Sequence, residues 1–270
     1  MPSKSLKLSI VIPVYNEQSH LKACLDRVAR QTEKPFEVII VDNSSTDDTV
    51  RIAKGYSFVS VIKEVRQSQV FAQKTGFDAA RGDIIGRIDA DTHLPPDWTS
   101  KLLEYFSKNP DVVGIKGEAM PYDIYMKRTG KFIELFYHTL ADLISGKKML
   151  WGANCALRKS AWLKISDKVL QRPDIWEDYD ISFPLAAQGK VRSISGIEVG
   201  LSFRAVQKPF KQQFQYQFRA VRTFALRTNV LRTIIFAVVW STEVLIYPLT
   251  VLDQYILSPL LLKDRPTSPD

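Results

Sequence analysis

Cysteine and histidine are scarce in this chain of 270 residues, and each scarcity excludes a class of site. The two cysteines, Cys24 and Cys155, both lie in apolar patterns, so a disulfide framework is excluded and a reducing compartment is expected. His93 and His138 are too far apart in the sequence to predict a zinc site. Internal repeats and low-complexity tracts are also missing before the short polar tail 263–270.

Acidic residues are absent between Glu198 and Glu243, and that stretch carries most of the net charge of +8. Its basic residues are Arg204, Lys208, Lys211, Arg219, Arg222, Arg227 and Arg232. Residues 233–262 are largely apolar, but no run of 18 uncharged residues occurs in them, so a straight membrane-spanning helix is not predicted. A basic segment that leads into an apolar one favours attachment to an anionic membrane surface.

Other interpretations of this C-terminal region stay open. The basic stretch can form a solvated helix face or a lining that meets phosphates, and the apolar segment can pack on the rest of the chain or on a second subunit of a homo-oligomer. Nucleic-acid binding is not expected, because the basic stretch lacks a recognisable reading motif. The segment 1–7 is short and polar and predicts no secretory signal. This favours a cytoplasmic protein at the inner face of the cell membrane.

Apolar segments alternate with helical patterns in the first hundred residues. Strand-like runs begin at Leu8, Phe36, Val59 and Ile84. This alternation predicts an α/β fold with a doubly wound, mostly parallel sheet flanked by helices. Ligands of such sheets bind outside the carboxyl ends of the strands. The acidic residues expected at those ends are Glu17, Asp42, Asp89 and Asp91.

Two aspartates follow the fourth apolar run and are separated by one residue. In extended backbone alternate side chains project to the same face, so Asp89 and Asp91 are expected to point the same way. Their hard oxygen atoms suit Mg2+ or Mn2+, which complete their coordination with water and phosphate. Such a pair also occurs in turns and at helix starts, where aspartate bonds its own backbone.

Five segments together resemble the family 2 glycosyltransferases of the GT-A fold, in the family's order and across residues 8 to about 200. They are Ile12-Pro-Val-Tyr-Asn-Glu17, Val41-Asp-Asn-Ser-Ser-Thr-Asp-Asp-Thr49, Ile88-Asp-Ala-Asp-Thr92, Gly152-Ala-Asn154 and Trp176-Glu-Asp-Tyr-Asp180. The chain departs from the family's pattern at Asn43 and Ser44, where Asp-Gly is frequent, and at Gln73 and Lys74, where Arg-Asn is common.

The resemblance implies roles for individual residues. The implied nucleotide-binding residues are Pro13, Tyr15, Glu17, Asp42, Lys74 and Asp89. The implied ligands of Mn2+ or Mg2+ are Asp91 and Asp89, and the implied acceptor-binding residues are Trp151, Gly152, Asn154 and Trp176. A turn that caps the next helix is an alternative for Asp42, packing is an alternative for Tyr15 and Trp151, and a helix-dipole role is an alternative for Glu17.

Asp178 is the implied catalytic base, with Glu177 beside it. Inversion needs a carboxylate that takes the proton of the acceptor hydroxyl as attack proceeds. An adjacent carboxylate of the same charge raises the pKa of one member of the pair, which makes it a more useful base. The alternative is that Asp178 or Asp180 N-caps the helical segment that follows.

The sequence thus predicts a catalytic domain over 1–205, with a nucleotide-binding half at about 1–92 and an acceptor half at about 93–205. A basic and then apolar helical appendage is expected over 206–262. The expected function is transfer of a sugar from a nucleotide diphosphate sugar, with UDP as the first choice, to a carbohydrate or lipid-linked acceptor of the cell envelope. A non-catalytic nucleotide-sugar binding protein and a nucleotidyltransferase are the alternatives.

Overall fold

The computed structural model describes residues 5–204 and 210–242, together with the single positions 252, 256, 257 and 260. Its strands are β1 (Leu8–Val14), β2 (Glu37–Asp42), β3 (Val59–Lys63), β4 (Ile84–Ile88), β5 (Val112–Pro121), β6 (Asn154–Arg158) and β7 (Lys190–Leu201). Its helices are α1 (Leu21–Ala29), α2 (Thr49–Lys54), α3 (Gln69–Ala79), α4 (Trp98–Lys108), α5 (Lys127–Ser145), α6 (Lys159–Leu163), α7 (Glu177–Leu185), α8 (Phe210–Arg227) and α9 (Val230–Ser241).

The strands form one sheet in the order β3-β2-β1-β4-β6-β5-β7. The first four are parallel to one another, β6 runs antiparallel to both β4 and β5, and β7 pairs parallel with β5. The predicted doubly wound, mostly parallel α/β fold is confirmed. Because β6 lies beside β4, residues near 154 come next to the end of the strand that leads to Asp89.

Helices cover both faces of the sheet, which explains why its central strands are apolar on both sides. Helices α1, α2 and α4 contribute to the core on one face, and α3, α6 and α7 contribute to the core on the other. Gly76 of α3 shows how close the second layer comes, because a Cβ at this position would lie 2.3 Å from the Val11 side chain. Cys24 and Cys155, which lie in apolar sequence patterns, are free and buried on opposite faces of the sheet.

Helices α8 and α9 pack on α5 and α7 through an aromatic cluster. Phe224 of α8 stacks on Phe236 of α9 with 3.7 Å between ring centroids, and Trp240 lies against both Phe236 and Tyr179. The packing alternative therefore holds for one side of α9. Most of the apolar segment 243–262, and the tail 263–270, lie outside the described residues. Within the described parts of the chain, no helix combines the length and the apolarity that crossing a bilayer requires.

The basic stretch is only partly available to an anionic surface, because four of its arginines are bound within the molecule. Their partners are Glu17 and Asp91 for Arg204, Asp174 for Arg222, Asp180 for Arg227 and the Ser145 carbonyl for Arg232. Lys211 and Arg219 are exposed, and Lys208 lies outside the described residues. The sequence could not show this pairing, since all five partners are distant in the chain.

Asn154 is a structural residue at the meeting point of three elements. It is buried, accepts a hydrogen bond from Trp98 Nε1 of α4 at 3.0 Å, and donates to the carbonyls of Glu118 in β5 and Ile197 in β7, each at 2.8 Å. These three contacts use its side-chain oxygen and both hydrogens of its amide. Its predicted role in acceptor binding is therefore not supported by its position.

We expect Asn154→Ala to lower the free energy of unfolding by about 3 kcal/mol, because it leaves three buried polar groups without partners. Urea denaturation measures the change. Asn109→Ala is the matched control, since the Asn109 side chain donates within the last turn of α4, and it is expected to cost less than about 1 kcal/mol. An Asn154→Ala protein of unchanged stability but weakened acceptor affinity would instead restore the acceptor-binding role.

Candidate active site

A cavity of about 1070 Å³ lies at the carboxyl ends of β1 and β4 and extends between α5, α8 and α9. Most of the predicted site residues line it. They are Pro13, Tyr15, Glu17, Asp89, Asp91, Trp151, Gly152, Trp176, Glu177 and Asp178. The first turn of α3 also reaches the cavity through Ser68 and Gln69, which the sequence analysis did not single out. Residues from the N-terminal and C-terminal parts of the chain therefore line one cavity.

Asp89 and Asp91 lie in a turn and not in extended backbone. Thr92 N donates to the Asp89 carbonyl, and Asp89 N donates to Thr92 Oγ1, each at 3.1 Å. The expectation of an extended segment is therefore wrong, and the turn alternative describes the backbone. Both carboxylates nevertheless line the cavity, because Asp89 is 31% exposed at the wall and Asp91 is 7% exposed deeper in it.

Arg87 connects the two acidic groups of the site. It occupies β4, its side chain is 2% exposed, and Nη2 lies 2.9 Å from Asp89 Oδ1 and 3.3 Å from Glu177 Oε1. Gly152 makes room for it, because a Cβ at that position would lie 1.3 Å from Arg87 Nη1. Gly152, an implied acceptor-binding residue, is thus also required for the close approach of this guanidinium.

Glu177 and Asp178 form the first turn of α7, where the helix dipole favours negative charge. Asp178 Oδ2 accepts a hydrogen bond from Gly152 N, and Oδ1 accepts one from Tyr179 N, each at 2.8 Å. Burial, assisted by the neighbouring Asp178, raises the pKa of Glu177 to about 7, and burial also raises the pKa of Asp178. Glu177 therefore exchanges a proton near neutral pH, and Asp178 does so at a higher pH than an exposed aspartate.

Neither aspartate of this segment acts as the N-cap of α7. The N-cap position belongs to Trp176, which makes no capping bond with its side chain. Asp180 instead binds Arg227 Nε at 2.6 Å and accepts a hydrogen bond from Leu170 N at 2.7 Å. Asp180 therefore ties α7 to α8, whereas Asp178 stays at the cavity wall.

Arg204 binds two of the acidic residues that line the cavity, Asp91 and Glu17. Its Nε lies 2.7 Å from Asp91 Oδ2, and its Nη2 lies 2.7 Å from Glu17 Oε1. Burial raises the pKa of Asp91 to about 7, although the Arg204 cation opposes the shift. Tyr122 fixes the same turn from outside by donating from its hydroxyl to the Asp91 carbonyl at 3.1 Å.

Two predicted nucleotide-binding residues lie outside the cavity lining. Asp42 ends β2 buried, and its Oδ1 accepts a hydrogen bond from Ser45 N at 3.0 Å, as in the turn alternative. Lys74 lies on α3 with Nζ 2.6 Å from Asp78 Oδ2 and 5.8 Å from the Trp162 ring centroid. The position of Lys74 therefore gives no support to a nucleotide contact, because a helix in the second layer directs the side chain toward α6.

The predicted aromatic residues occupy different depths of the cavity. Tyr15 is 47% exposed at the rim, where its ring is free to meet a flat ligand. Trp151 is half-buried with its ring 4.9 Å from that of His138. Trp176 donates from Nε1 to the Tyr216 carbonyl at 3.1 Å, so its orientation depends on α8. Packing and cavity lining thus coexist for both tryptophans.

Arg87 and Arg204 are the site residues that sequence reasoning missed. Arg87 had a local signal, because it is a charge inside the otherwise apolar, fully buried strand Ile84–Ile88. Arg204 had only the signal of the basic stretch to which it belongs, since it is separated from Asp91 by 113 positions and from Glu17 by 187. Only the return of the chain past β7 brings it to the cavity.

The arrangement fits a hard divalent cation that takes only part of its coordination from the protein. No group of three or more His, Cys, Asp or Glu side chains within the described residues is arranged to hold a metal ion. The Asp89 and Asp91 pair nevertheless offers hard oxygen atoms, and the buried Oδ1 of Asp91 has no hydrogen-bond partner among the described residues. Two protein carboxylates suffice for Mg2+ or Mn2+ where phosphate and water complete the shell.

The chain is similar to curated transferases whose names include undecaprenyl phosphate. An undecaprenyl-phosphate 4-deoxy-4-formamido-L-arabinose transferase of Sodalis glossinidius is 32% identical over 157 residues, which are 55% of this chain and 47% of that protein. The corresponding Klebsiella pneumoniae protein is 32% identical over 152 residues, with shares of 53% and 45%. The chain therefore spans about half the length of the curated relatives it matches.

Solved structures share the fold. A mannosyltransferase of Pyrobaculum calidifontis, in complex with GDP-Man and Mn2+, superposes with a TM-score of 0.59 at 17% identity, over 97% of this chain and 89% of that one. Glucosyl-3-phosphoglycerate synthase of Mycobacterium tuberculosis, in complex with Mn2+, UDP-glucose and phosphoglyceric acid, gives 0.60 at 18% identity, over 82% and 79%. The predicted GT-A fold is confirmed by these neighbours.

A sequence model of a protein family shows that the relationship is not limited to the fold. The model described as glycosyl transferase family 2 matches residues 9–164, which contain β1 to β4, the Asp89 turn and the Gly152 loop. The resemblance that five motifs indicated is confirmed. Because the match covers more than half of the chain, this protein belongs to glycosyl transferase family 2.

Proposed function

We propose that this protein transfers a sugar, with inversion, from a nucleotide diphosphate sugar to a lipid-linked acceptor at the inner membrane surface. The observation that carries the proposal is the arrangement of the Asp89 and Asp91 pair and the Glu177 and Asp178 pair around one cavity, joined by Arg87. In such a transfer one acidic pair holds the cation that binds the diphosphate, and the other takes a proton from the acceptor nucleophile. The acceptors in the names of the curated relatives support the choice of a polyprenyl phosphate.

We place the donor's nucleoside at the end of β1. A UDP-sugar is the first choice of donor. Pro13, Tyr15 and Asn43 line this part of the cavity, and the Tyr15 ring can stack on a base. The Mn2+ in the solved neighbours supports a divalent cation here as well. Asp91 and Asp89 would hold Mn2+ or Mg2+, which supplies Lewis-acid stabilisation of the charge that develops on the leaving diphosphate.

Asp178 is the proposed base. As an oxygen of the singly protonated acceptor phosphate attacks and the bond between the sugar and the diphosphate breaks, Asp178 takes the proton of that phosphate, while backbone N–H groups of Gly152 and Tyr179 hold its carboxylate in place. Glu177 stays bound to Arg87, so the buried pair carries less net negative charge than two unpartnered carboxylates. A raised pKa makes Asp178 a stronger base than an exposed aspartate.

The acceptor is placed at the apolar end of the cavity. Ile133 of α5, Phe218 and Val221 of α8 and Ala237 of α9 line this end. The outer sides of α5 and α9 continue it as an exposed apolar surface, which consists of Phe132, Leu135, Phe136, Leu143, Val230, Leu231, Ile234, Ile235 and Val238. A surface of this composition fits the interfacial layer of a bilayer, from which an isoprenoid chain can enter the cavity.

The direct test combines the purified full chain with Mn2+, a panel of nucleotide diphosphate sugars and a polyprenyl phosphate in detergent. We expect a glycosylated lipid together with a free nucleoside diphosphate. Release of pyrophosphate would indicate a nucleotidyltransferase instead. Donor binding without turnover on polyprenyl phosphates or other lipid-linked acceptors would indicate a non-catalytic binding protein.

We expect Asp178→Asn to reduce kcat at least about 100-fold while donor affinity stays within about twofold, because the amide keeps the shape but cannot take a proton. Steady-state kinetics and calorimetric donor titration measure the two quantities. Asp174→Asn is the matched control, since Asp174 is partly exposed and pairs with Arg172 and Arg222 away from the cavity lining. Equal losses in both variants would contradict the assignment of the base.

The pH dependence of kcat provides a separate check. A base works only when unprotonated, so the raised pKa of Asp178 predicts that kcat begins to fall at a higher pH than an ordinary aspartate would set. An ordinary aspartate would keep kcat constant down to about pH 5. The residual rate of Asp178→Asn should lack this acid limb. A wild-type kcat that is constant from about pH 8 to about pH 5 is the contrary result.

The membrane surface is tested by vesicle flotation with anionic lipid. Ile234 and Val238 are one turn apart on α9 and are 55% and 62% exposed. We expect the double variant Ile234→Glu, Val238→Glu to lose at least about 90% of vesicle binding, because two charges must then be desolvated in the interface. Leu163→Glu on α6, at a residue 64% exposed, should bind like the wild type. Unchanged flotation of the double variant would refute the surface.

A further inference from the structure

Arg204 occupies the space between two buried carboxylates of the site. Its guanidinium reaches Asp91 Oδ2 and Glu17 Oε1, each at 2.7 Å, and Nη1 lies 3.4 Å from His20 Nδ1. The side chain of Arg204 is 35% exposed, whereas those of Glu17 and Asp91 are 15% and 7% exposed. One monovalent cation is thus shared by two acids, which lie in the loops that follow β1 and β4.

The backbone before Arg204 is anchored independently of this contact. Asp123 accepts hydrogen bonds from Ser202 Oγ and from Phe203 N at 2.8 Å, and Arg204 N donates to Ser202 Oγ at 3.2 Å. The guanidinium can therefore change partners by rotation of its own side chain while residues 202 and 203 stay in place. A long side chain on a fixed base is suited to exchange between two anionic partners.

The carboxylates are left incompletely satisfied. Glu17 Oε2 and Asp91 Oδ1 are buried and have no hydrogen-bond partner among the described residues. Among the described lining residues of the cavity, six carboxylates accompany three guanidinium groups, so negative charge is in excess. The site therefore retains an attraction for further positive charge even with Arg204 in place.

A divalent cation on Asp91 and the guanidinium on the same carboxylate would repel each other at close range. The diphosphate of a donor changes this balance, since its oxygens accept the paired N–H groups of an arginine with good geometry. The negative charge of the diphosphate also offsets the repulsion between the two cations. The exchange is thus unfavourable for a metal ion alone and favourable for a metal ion that arrives with a diphosphate.

We propose that Arg204 is the counter-ion of Asp91 and Glu17 in the donor-free protein, and that it moves from Asp91 to the donor's diphosphate when metal and donor bind. This inference rests on the proposed function for the identity of the donor as a nucleoside diphosphate. It makes the binding of metal and donor cooperative, because each removes an obstacle to the other. Arg204 is then a donor-binding residue and also a barrier to binding of the metal alone.

The test measures two affinities in the full chain, that for Mn2+ alone by electron paramagnetic resonance and that for UDP with saturating Mn2+ by calorimetry. We expect Arg204→Gln to bind Mn2+ alone about tenfold more tightly than the wild type, and UDP with Mn2+ about tenfold more weakly. Arg222→Gln, which removes a surface partner of Asp174, should leave both affinities unchanged. Opposite changes are the signature of an exchange, because a purely structural role would weaken both.

Arg204→Lys provides a second measurement, since it keeps the charge but loses the fork of donors. It should bind Mn2+ alone as weakly as the wild type and still lose UDP affinity, and it decides the question if Arg204→Gln does not fold. Equal Mn2+ affinity in Arg204→Gln and the wild type overturns the exchange, whatever the catalytic activity. Tight UDP binding without sugar transfer would refute the proposed transferase function and leave the exchange intact.

Discussion

The ion pairs of Arg87 are the interaction on which the site depends. A guanidinium in the middle of a buried strand carries a large desolvation cost, and Asp89 and Glu177 offset that cost from two sides. The same contacts keep carboxylates of like charge close together, since without the cation Glu177 and Asp178 would repel each other in a poorly solvated wall. Removal of Arg87 would leave both Asp89 and Glu177 without this cation.

This constraint explains several choices of residue around the cavity. Gly152 has no side chain because Arg87 fills the space, and its N–H is then available to Asp178. Helix α7 begins at Glu177, so its dipole stabilises the two acids that Arg87 cannot fully neutralise. The Arg87 side chain therefore contributes both to the packing of the fold and to the chemistry of the site. The raised pKa values of Glu177 and Asp178 follow from the burial of these two side chains.

Helices α8 and α9 connect the site to the surroundings of the protein. Their aromatic residues build a core with α5 and α7, and Trp176 is held by both packing and its bond to the Tyr216 carbonyl. The same helices present apolar side chains outward next to the apolar end of the cavity. Helices α8 and α9 thus complete the wall of the site, and α9 together with α5 forms the proposed membrane surface.

The sequence by itself determined the alternating strands and helices, the acidic ends of β1 and β4, and the family. Periodicity and motif order are local properties, and local burial preferences decide them. A departure from the family pattern also has a local explanation. Ser44 stands where glycine is frequent in the family, and its backbone adopts the left-handed conformation that favours glycine, with φ of 68°.

Only the tertiary structure decided the roles of Arg87, Asn154 and Arg204. Spacing along the chain does not reveal that β6 inserts antiparallel beside β4 or that the chain returns past β7 to Glu17 and Asp91. The energies of buried ion pairs and amide bonds depend on distance in space and on desolvation. Both quantities are set by the order of strands in the sheet, which the local pattern of residues does not encode.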